Sequence, residues 1–423
     1  MDYRYITDTK GLGGRIKQLP QDFIVEEIGE DYQTSVKYLP DKKIDTIDWI
    51  KIFENKEEGK DHLILDMEKH NLSTMQAISQ MSRFLRLSKS RFGYAGLKDK
   101  RSISSQKISL YNPELERLSK FYFKDIKTYN PFWSSKKIDI GDLKENRFII
   151  TIRQIEGLSK EEIKEIIETN FLKINQKGLI NYFGEQRFGG AREVTAKVGK
   201  HLILKEYKKA IMLYLTSPSP YEDQDLKNAR EDILKTNDFK KWASSFPSKS
   251  GFEVPILNHL AINPEDYLGA FKSLSKSMQY LFIHAYQSYL FNEIINYRID
   301  KGLFLKPLDA DNVINGVLHL PLFGYDSKFL DGRAGEIEKE IFKREGIDFR
   351  HFFNKDYSVL SCRGDLRPVI TFPKELKLIS IEEDDLNQEE IPGSKKATIS
   401  FILDKGQYAT VLIREIIKKE NIG

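Results

Sequence analysis

The chain has 423 residues, enough for two or three domains, and its 40% hydrophobic and 31% charged residues exclude a disordered or fibrous protein. Its 67 Lys and Arg residues nearly balance 63 Asp and Glu residues, so an anionic partner must be met by local basic patches. The single cysteine, Cys362, excludes an intrachain disulfide and a cysteine zinc site. We expect a reduced, cytoplasmic setting, no metal and no membrane span, since the longest apolar stretch is too short to cross a bilayer.

Strands and helices alternate in the first part of the chain. Ser73 and Gln76 form a capping box, and Ser159 with Glu162 forms another, each before apolar residues at helical spacing. Gly178 is a plausible end for the second helix. The patterns predict strands over 20–28, 61–69 and 145–155, and helices over 72–90 and from 159 to 178.

The character of the chain changes after residue 190. Residues 191–300 are mostly helical in pattern, with a long helix over 274–299. The acidic run 381–396 predicts a solvated loop, and a strand over 397–404 and a helix over 408–420 follow it. Loops are predicted near 217–223 and 245–251. We therefore expect an α+β domain built from both chain ends and interrupted by a mainly helical insertion.

The segment GYAGLKDKRSISSQ (93–106) contains a carboxylate between cations. Gly93 and Gly96 allow a sharp turn, and the cationic neighbours of Asp99 favour its ionised form. Such a carboxylate can act as a nucleophile or base beside a polyanion. The alternative is an ordinary surface ion pair in a turn, which is the commoner meaning of a charge run.

Basic residues recur every three positions just before this segment. Arg83, Arg86 and Lys89 would form one stripe on the helix predicted over 72–90, with Phe84, Phe92 and Tyr94 nearby. Basic side chains interleaved with aromatic ones suit a nucleic-acid backbone and an unstacked base. A solvated helix face is the alternative.

Two further patterns are open to more than one interpretation. NYFGEQRFGG (181–190) combines glycines, aromatics and Arg187, which could reach a phosphate, or it could be a bulged strand and hinge. Asn146, Phe148 and Tyr408 could line a pocket, although aromatic residues taken singly are more often core.

Six of these segments occur in the order found in one known family. PQDFIVEE, GYAGLKDKRSISSQ, ENRF, NYFGEQRFGG, AYQSYLFNE and FILDKGQYATVLIRE together resemble the TruD family of pseudouridine synthases. The resemblance spans residues 15–420, and GYAGLKD and NYFGEQRFG are its most specific parts. The long insertion and the QYAT ending are more similar to the archaeal and eukaryotic branch than to the bacterial form.

The resemblance implies an enzyme that isomerises uridine to pseudouridine in tRNA, usually at position 13. It implies the α+β pseudouridine synthase fold, a mixed sheet with flanking helices, with a mainly helical insertion called the TRUD domain. We expect residues 1–181 and 371–423 to form the catalytic domain and residues 182–370 the insertion. Because nothing is oxidised and no group is donated, it also implies a reaction without cofactor or metal. A monomer acting on tRNA is the expected form.

The family's functional residues map onto this chain one by one. The resemblance makes Asp99 the catalytic residue, and it leaves open whether the carboxylate adds to the base, attacks the sugar or removes the C2′ proton. Two positions depart from the family pattern: Gln21 stands where a Glu is usual, and Tyr408 replaces the Phe of the bacterial form. The expected substrate-binding residues are Lys17, Phe23, Asn146, Phe148 and Tyr408. The expected contacts to the RNA backbone are Arg83, Arg86, Lys89, Lys98, Arg101 and Arg187.

Two other functions stay open at this point. A catalytically silent RNA-binding module could use the same scaffold, although the intact GLKD sequence argues against it. A carboxylate-dependent hydrolase using Asp99 is weaker, because no second acid lies at a suggestive spacing.

Overall fold

The computed structural model describes residues 2–37, 47–219, 222–247 and 252–419. The predicted loops near 217–223 and 245–251 and the end of the predicted helix 408–420 lie partly outside these ranges. The chain divides into two compact units, each discontinuous in sequence. The α+β unit comprises Ile6–Leu179 and Phe372–Gly423, and the helical unit comprises Met1–Tyr5 and Ile180–Thr371.

The elements follow in chain order. The first half contains β1 (Phe23–Ile28), α1 (Trp49–Glu54), β2 (His62–His70), α2 (Thr74–Leu85), β3 (Phe92–Tyr94), β4 (Ile103–Tyr111), α3 (Leu115–Ser119), β5 (Ile126–Ser134), β6 (Glu145–Ile155), α4 (Lys160–Lys177) and β7 (Leu179–Ile180). Next come α5 (Thr195–Ile203), α6 (Tyr207–Thr216), α7 (Gln224–Thr236), α8 (Phe239–Ser245), α9 (Glu253–Ile262), α10 (Tyr267–Lys272) and α11 (Lys276–Asp300). The last part contains β8 (Asn312–Ile314), β9 (Val317–Leu322), α12 (Gly332–Glu345), β10 (Asp365–Pro368), β11 (Ile370–Thr371), β12 (Lys374–Glu383), β13 (Lys395–Asp404) and α13 (Ala409–Ile417).

An eight-stranded sheet forms the centre of the α+β unit. Its order is β12-β13-β6-β1-β4-β2-β5, with β3 paired to β4. Strand β1 runs parallel to β4, whereas β6 pairs antiparallel to both β1 and β13. The sheet is therefore mixed, which confirms the predicted fold class. One face packs against α2 through apolar residues, among them Leu65, Met67, Ile78 and Met81, all at most 1% exposed.

Capping residues decide where α4 begins. Ser159 Oγ accepts a hydrogen bond from the Glu162 amide at 3.1 Å, and a Glu162 carboxylate oxygen accepts one from the Ser159 amide at 2.7 Å. Gly178 follows the last helical residue with a φ of +79°, where a side chain would be strained. The predicted helix is confirmed at both ends, as is the strand predicted over 145–155.

The helix predicted over 72–90 is too long. Helix α2 ends at Leu85 because Arg86 adopts a left-handed conformation with φ of +51°. The Leu87 amide then donates to the Ser82 carbonyl at 3.0 Å, and the Leu87 side chain is buried. This is a helix end of the Schellman type without glycine, so the residue usually marking such a stop is missing from the sequence.

The prediction of a solvated loop over 381–396 is also wrong in part. Strand β12 continues to Glu383, and Asp384 is completely buried. Its carboxylate contacts the buried guanidinium of Arg153 at 2.9 Å. An acidic run is normally hydrated, but here a buried cation compensates one of its charges.

Helix α11 is the centre of the helical unit, and it confirms the long helix predicted over 274–299. Phe282, Leu290 and Ile294 are at most 1% exposed. Helix α5 approaches it closely, because a Cβ atom at Gly199 would lie 2.1 Å from the Phe282 carbonyl oxygen. A glycine is required at this crossing.

Candidate active site

Asp99 lies in the loop between β3 and β4, two antiparallel strands of the mixed sheet. Gly93 precedes the loop, and a Cβ atom there would lie 2.3 Å from the Ile138 carbonyl oxygen. Glycine is thus needed for close approach rather than for the sharp turn that the sequence suggests. Ser102 Oγ donates to the Asp99 carbonyl at 2.8 Å, and Gln106 Nε2 donates to the Gly96 carbonyl at 3.0 Å. These bonds give the loop a defined shape.

The Asp99 carboxylate forms an ion pair with Lys17. Asp99 Oδ2 lies 2.9 Å from Lys17 Nζ, and the Asp99 side chain is 37% exposed. Of the neighbouring cations, Lys98 is buried against Glu27, and Arg101 Nη2 donates to the Gln18 carbonyl at 2.8 Å. The cation of this ion pair comes from 82 positions earlier in the chain.

Lys17 also lies over the ring of Phe23, with its ammonium 4.1 Å from the ring centroid. Lys17 has a φ of +59°, and the turn Pro20–Asp22 separates it from the start of β1. The Phe23 ring contacts Phe148 edge-on at 6.0 Å, and Phe148 stacks on Phe401 at 5.4 Å. Both Phe23 and Phe148 are buried, so they form the floor beneath the ion pair.

Lys98, which was expected to contact the RNA backbone, is buried against Glu27 and Asn146. Its ammonium lies 2.8 Å from Glu27 Oε2 and donates to Asn146 Oδ1 at 2.7 Å, and Lys98 and Glu27 are both buried. Because an ammonium can only donate, the amide oxygen of Asn146 must face Lys98. The Asn146 Nδ2 group is then oriented as a donor.

The strand register places Tyr408 near the same end of the sheet. Leu403 on β13 pairs with Asn146 on β6, and the Lys405 amide donates to the Lys144 carbonyl at 2.9 Å. Tyr408 follows in extended conformation as the N-cap of α13 and is half-buried. The contacts described above join Lys17, Phe23, Phe148 and Asp99 in one group and Lys98 with Asn146 in another.

The remaining predicted RNA contacts do not share one helix face. Arg83 is on α2, Arg86 is the left-handed residue after it, and Lys89 begins a separate short turn. The predicted helical stripe is therefore wrong, although all three residues are exposed. Arg187 belongs to the helical unit, where its Nε donates to Ser288 Oγ at 3.1 Å.

Sequence reasoning missed Lys69, on β2. Lys69 is completely buried, and its ammonium donates to the Asp99 carbonyl at 2.7 Å and the Leu72 carbonyl at 2.5 Å. Burial lowers the pKa of Lys69 to about 7. The signal was present in the strand pattern: Leu63, Leu65 and Met67 precede Lys69 at alternate positions and are all buried.

No metal cluster is found in the described ranges, where no three or more histidine, cysteine, aspartate or glutamate side chains are arranged to hold an ion. Among the same residues, no helix has the length and apolar character that crossing a membrane requires.

Comparisons with known proteins agree on one family. The model of the family described as tRNA pseudouridine synthase D (TruD) matches residues 2–319 and 315–416. A protein from Methanosarcina acetivorans named "Probable tRNA pseudouridine synthase D" is 35% identical, and the alignment covers 98% of this chain and 95% of that protein. A protein from Methanocaldococcus jannaschii named "Probable tRNA pseudouridine synthase D 1" is also 35% identical, and the alignment covers 99% of this chain and 98% of that protein. A crystal structure of the Methanosarcina mazei protein assigned to tRNA pseudouridine synthase D matches with a TM-score of 0.73 at 33% identity, over 98% of this chain and 96% of that one. The chain therefore belongs to the tRNA pseudouridine synthase D family.

Proposed function

We propose that the chain isomerises uridine to pseudouridine in tRNA, at position 13, as a monomer without cofactor. In this proposal the α+β unit is the catalytic domain, the helical unit is the TRUD insertion domain, and Asp99 is the catalytic carboxylate. The observation that carries it is the accessible Asp99 carboxylate 2.9 Å from Lys17 Nζ in a chain of this family.

The reaction requires bonds to change within one nucleotide. The N1–C1′ bond breaks, uracil turns, and a C5–C1′ bond forms while the C5 proton leaves and N1 gains a proton. A carboxylate at Asp99 is compatible with addition to the base, attack on the sugar or removal of the C2′ proton. Each route needs the ionised carboxylate, and the ammonium of Lys17 lies 2.9 Å from Asp99 Oδ2.

The target base must leave its stack before it can react, which costs a few kcal/mol. Stacking on the ring of Tyr408 would recover about 1–3 kcal/mol of this free energy. The Asn146 Nδ2 group, oriented by Lys98, would donate to a carbonyl oxygen of uracil. These contacts would also retain the detached uracil until it is rejoined.

Tritium release tests the proposed function directly. The purified chain is incubated with tRNA transcripts that contain 5-tritiated uridine, and release of one tritium per tRNA is expected because C5 loses its hydrogen. Carbodiimide treatment and primer extension should give a new stop one nucleotide 3′ of position 13. Binding of tRNA without tritium release would instead support a silent RNA-binding module on this scaffold.

The exposed cations after α2 give a prediction about RNA binding. In the described part of the chain Arg83, Arg86 and Lys89 form no ion pair, and Lys89 borders a cavity of about 370 Å³. Replacing all three with glutamine is expected to lower the slope of log Kd against log salt concentration by about 2–3. Filter binding of tRNA at several salt concentrations measures this slope.

A matched control uses three exposed lysines of α4, Lys160, Lys164 and Lys177. Their replacement with glutamine removes the same charge and is expected to leave the salt dependence nearer to that of the wild type. Equal slopes for both triple variants would show that net charge, and not the surface after α2, governs binding.

A further inference from the structure

Among the described residues, Lys69 and Lys127 are buried lysines whose ammonium groups donate to backbone carbonyls and not to a carboxylate. Buried Lys98 pairs with Glu27, and Lys107, which is largely shielded from solvent, pairs with Asp66 at 2.7 Å. Within the described residues, the hydrogen bonds of the Lys69 ammonium go to two backbone carbonyls and to no carboxylate. Burial of a cation without such a partner is unfavourable, so its retention requires an explanation.

The two carbonyls belong to segments that meet at the candidate site. The Leu72 carbonyl lies just before the N-cap of α2, and the Asp99 carbonyl lies at the centre of the loop between β3 and β4. Lys69 therefore joins the end of β2, the start of α2 and the Asp99 loop. Hydrogen bonds from a charged donor are roughly twice as strong as neutral ones.

We propose that Lys69 is a positioning residue whose ammonium, by binding the Asp99 carbonyl, holds the Asp99 carboxylate in its catalytic position beside Lys17. The inference rests on the proposed function. In its proposed role Lys69 does not touch the reacting atoms. It acts through the backbone of Asp99, where a displacement of about 1 Å can lower turnover by about 100-fold.

The surrounding charges allow this role to depend on pH. Burial lowers the pKa of Lys69, Asp99 opposes this effect, and Lys98 on the same loop adds to it. Glu68 and His70 on β2 point to the other face and pair with each other at 2.6 Å. The residues opposite Lys69 on β4 and β5, Ser104 and Ile126, carry no charge.

Loss of the Lys69 proton should therefore have opposite effects on activity and on stability. Activity is expected to fall as the pH rises through about 7, because the charged donor is lost. In the unfolded chain Lys69 keeps this proton up to a pH near 10. The contribution of Lys69 to the free energy of unfolding therefore rises from about pH 7 to about pH 10.

The test compares Lys69→Met, which removes the charge at similar length, with Lys69→Arg, which keeps it. Under single-turnover conditions, tritium release by Lys69→Met is expected to be about 10–100-fold slower, with tRNA affinity within about twofold of the wild type. The Lys69→Arg variant is expected to keep a flat rate from pH 7 to 9, where the wild type declines. Lys127→Met is the matched control, since Lys127 is also buried with its ammonium on a carbonyl, that of Phe123 at 3.3 Å.

A wild-type rate in Lys69→Met, or a slowdown no larger than that of Lys127→Met, would overturn the proposal. If Lys69→Met does not fold, the pH profile of the Lys69→Arg variant is the test. A decline in its rate of tritium release from pH 7 to 9 equal to that of the wild type would overturn the proposal. Wild-type protein without tritium release would instead contradict the proposed function. An active wild type with inactive Asp99→Asn and fully active Lys69→Met would refute only the role of Lys69.

Discussion

Asp99→Asn is expected to lower the rate of pseudouridine formation by at least about 10³-fold, the largest effect on activity that we predict. Asparagine has nearly the same shape as aspartate but no negative charge, so it cannot serve as nucleophile or base. The hydrogen bonds from Ser102 Oγ and Lys69 Nζ to the Asp99 carbonyl use backbone atoms and survive the change. Single-turnover release of tritium from tRNA with 5-tritiated uridine measures the loss.

The variant should still bind tRNA, because the exposed cations are unchanged. Asp61→Asn is a suitable control, since Asp61 also pairs with a lysine, Lys56, at 2.8 Å and its side chain is similarly exposed. Its neutralisation is expected to leave turnover close to that of the wild type. An Asp99→Asn variant that retains wild-type turnover would remove the catalytic assignment, whatever its affinity for RNA.

The sequence predicted those parts of the fold that depend on neighbouring residues. Ser159 and Glu162 cap α4 within one turn of helix, and the β-branched residues of 145–155 define β6. The end of α2 was missed because Arg86 takes a left-handed conformation that usually favours glycine. Local pattern describes an element well where the residues that stabilise it lie within the element.

The site itself depends on contacts between distant parts of the chain. The pairing of Lys17 with Asp99 spans 82 positions, and no period of the sequence could indicate it. The family resemblance identified Lys17 and Asp99 as functional residues. The charge pattern alone indicated the cations adjacent to Asp99, among them Lys98, but the ammonium of Lys98 pairs with Glu27. Lys69 could have been found, because a lysine at an alternate position after three buried apolar residues is predicted to be buried.

The acidic run 381–396 also depends on a contact with a distant residue, which compensates the charge of a buried carboxylate. In the sequence Asp384 does not differ from its acidic neighbours, but in the structure it contacts Arg153 on β6. The Arg153 guanidinium contacts Asp384 Oδ1 at 2.9 Å and Asp22 Oδ1 at 2.8 Å, and all three residues are buried. Asp22 directly precedes Phe23, so this cluster anchors the segment that carries Lys17 and the floor of the site.

Arg153→Met is accordingly expected to lower the free energy of unfolding by about 3–5 kcal/mol, the largest effect on stability that we predict. Methionine fills much of the same volume but leaves the carboxylates of Asp22 and Asp384 buried without their cation. For a unit of this size each kcal/mol lowers the melting temperature by about 2–4 °C. Scanning calorimetry at neutral pH measures the shift.

The pH dependence of the stability lost in Arg153→Met shows that the buried carboxylates cause the loss. Burial would raise the pKa of Asp384, but hydrogen bonds from the Gln154 amide, Asn387 and Arg153 outweigh it and hold the pKa below its usual value. The stabilisation is therefore present above the ordinary pKa near 4 and is lost as the pH falls through the lowered value. The gap in melting temperature between wild type and Arg153→Met is expected to narrow below about pH 4.

Two variants separate the buried charges from a general effect of losing an arginine. Arg117 lies on the surface and pairs with Glu114, so Arg117→Met is expected to change stability by less than about 1 kcal/mol. In the Asp22→Asn/Asp384→Asn background, Arg153→Met should be less damaging, because no uncompensated carboxylate is left. An equally large loss in that background would mean that the packing of the arginine stem, and not its charge, holds this part of the chain.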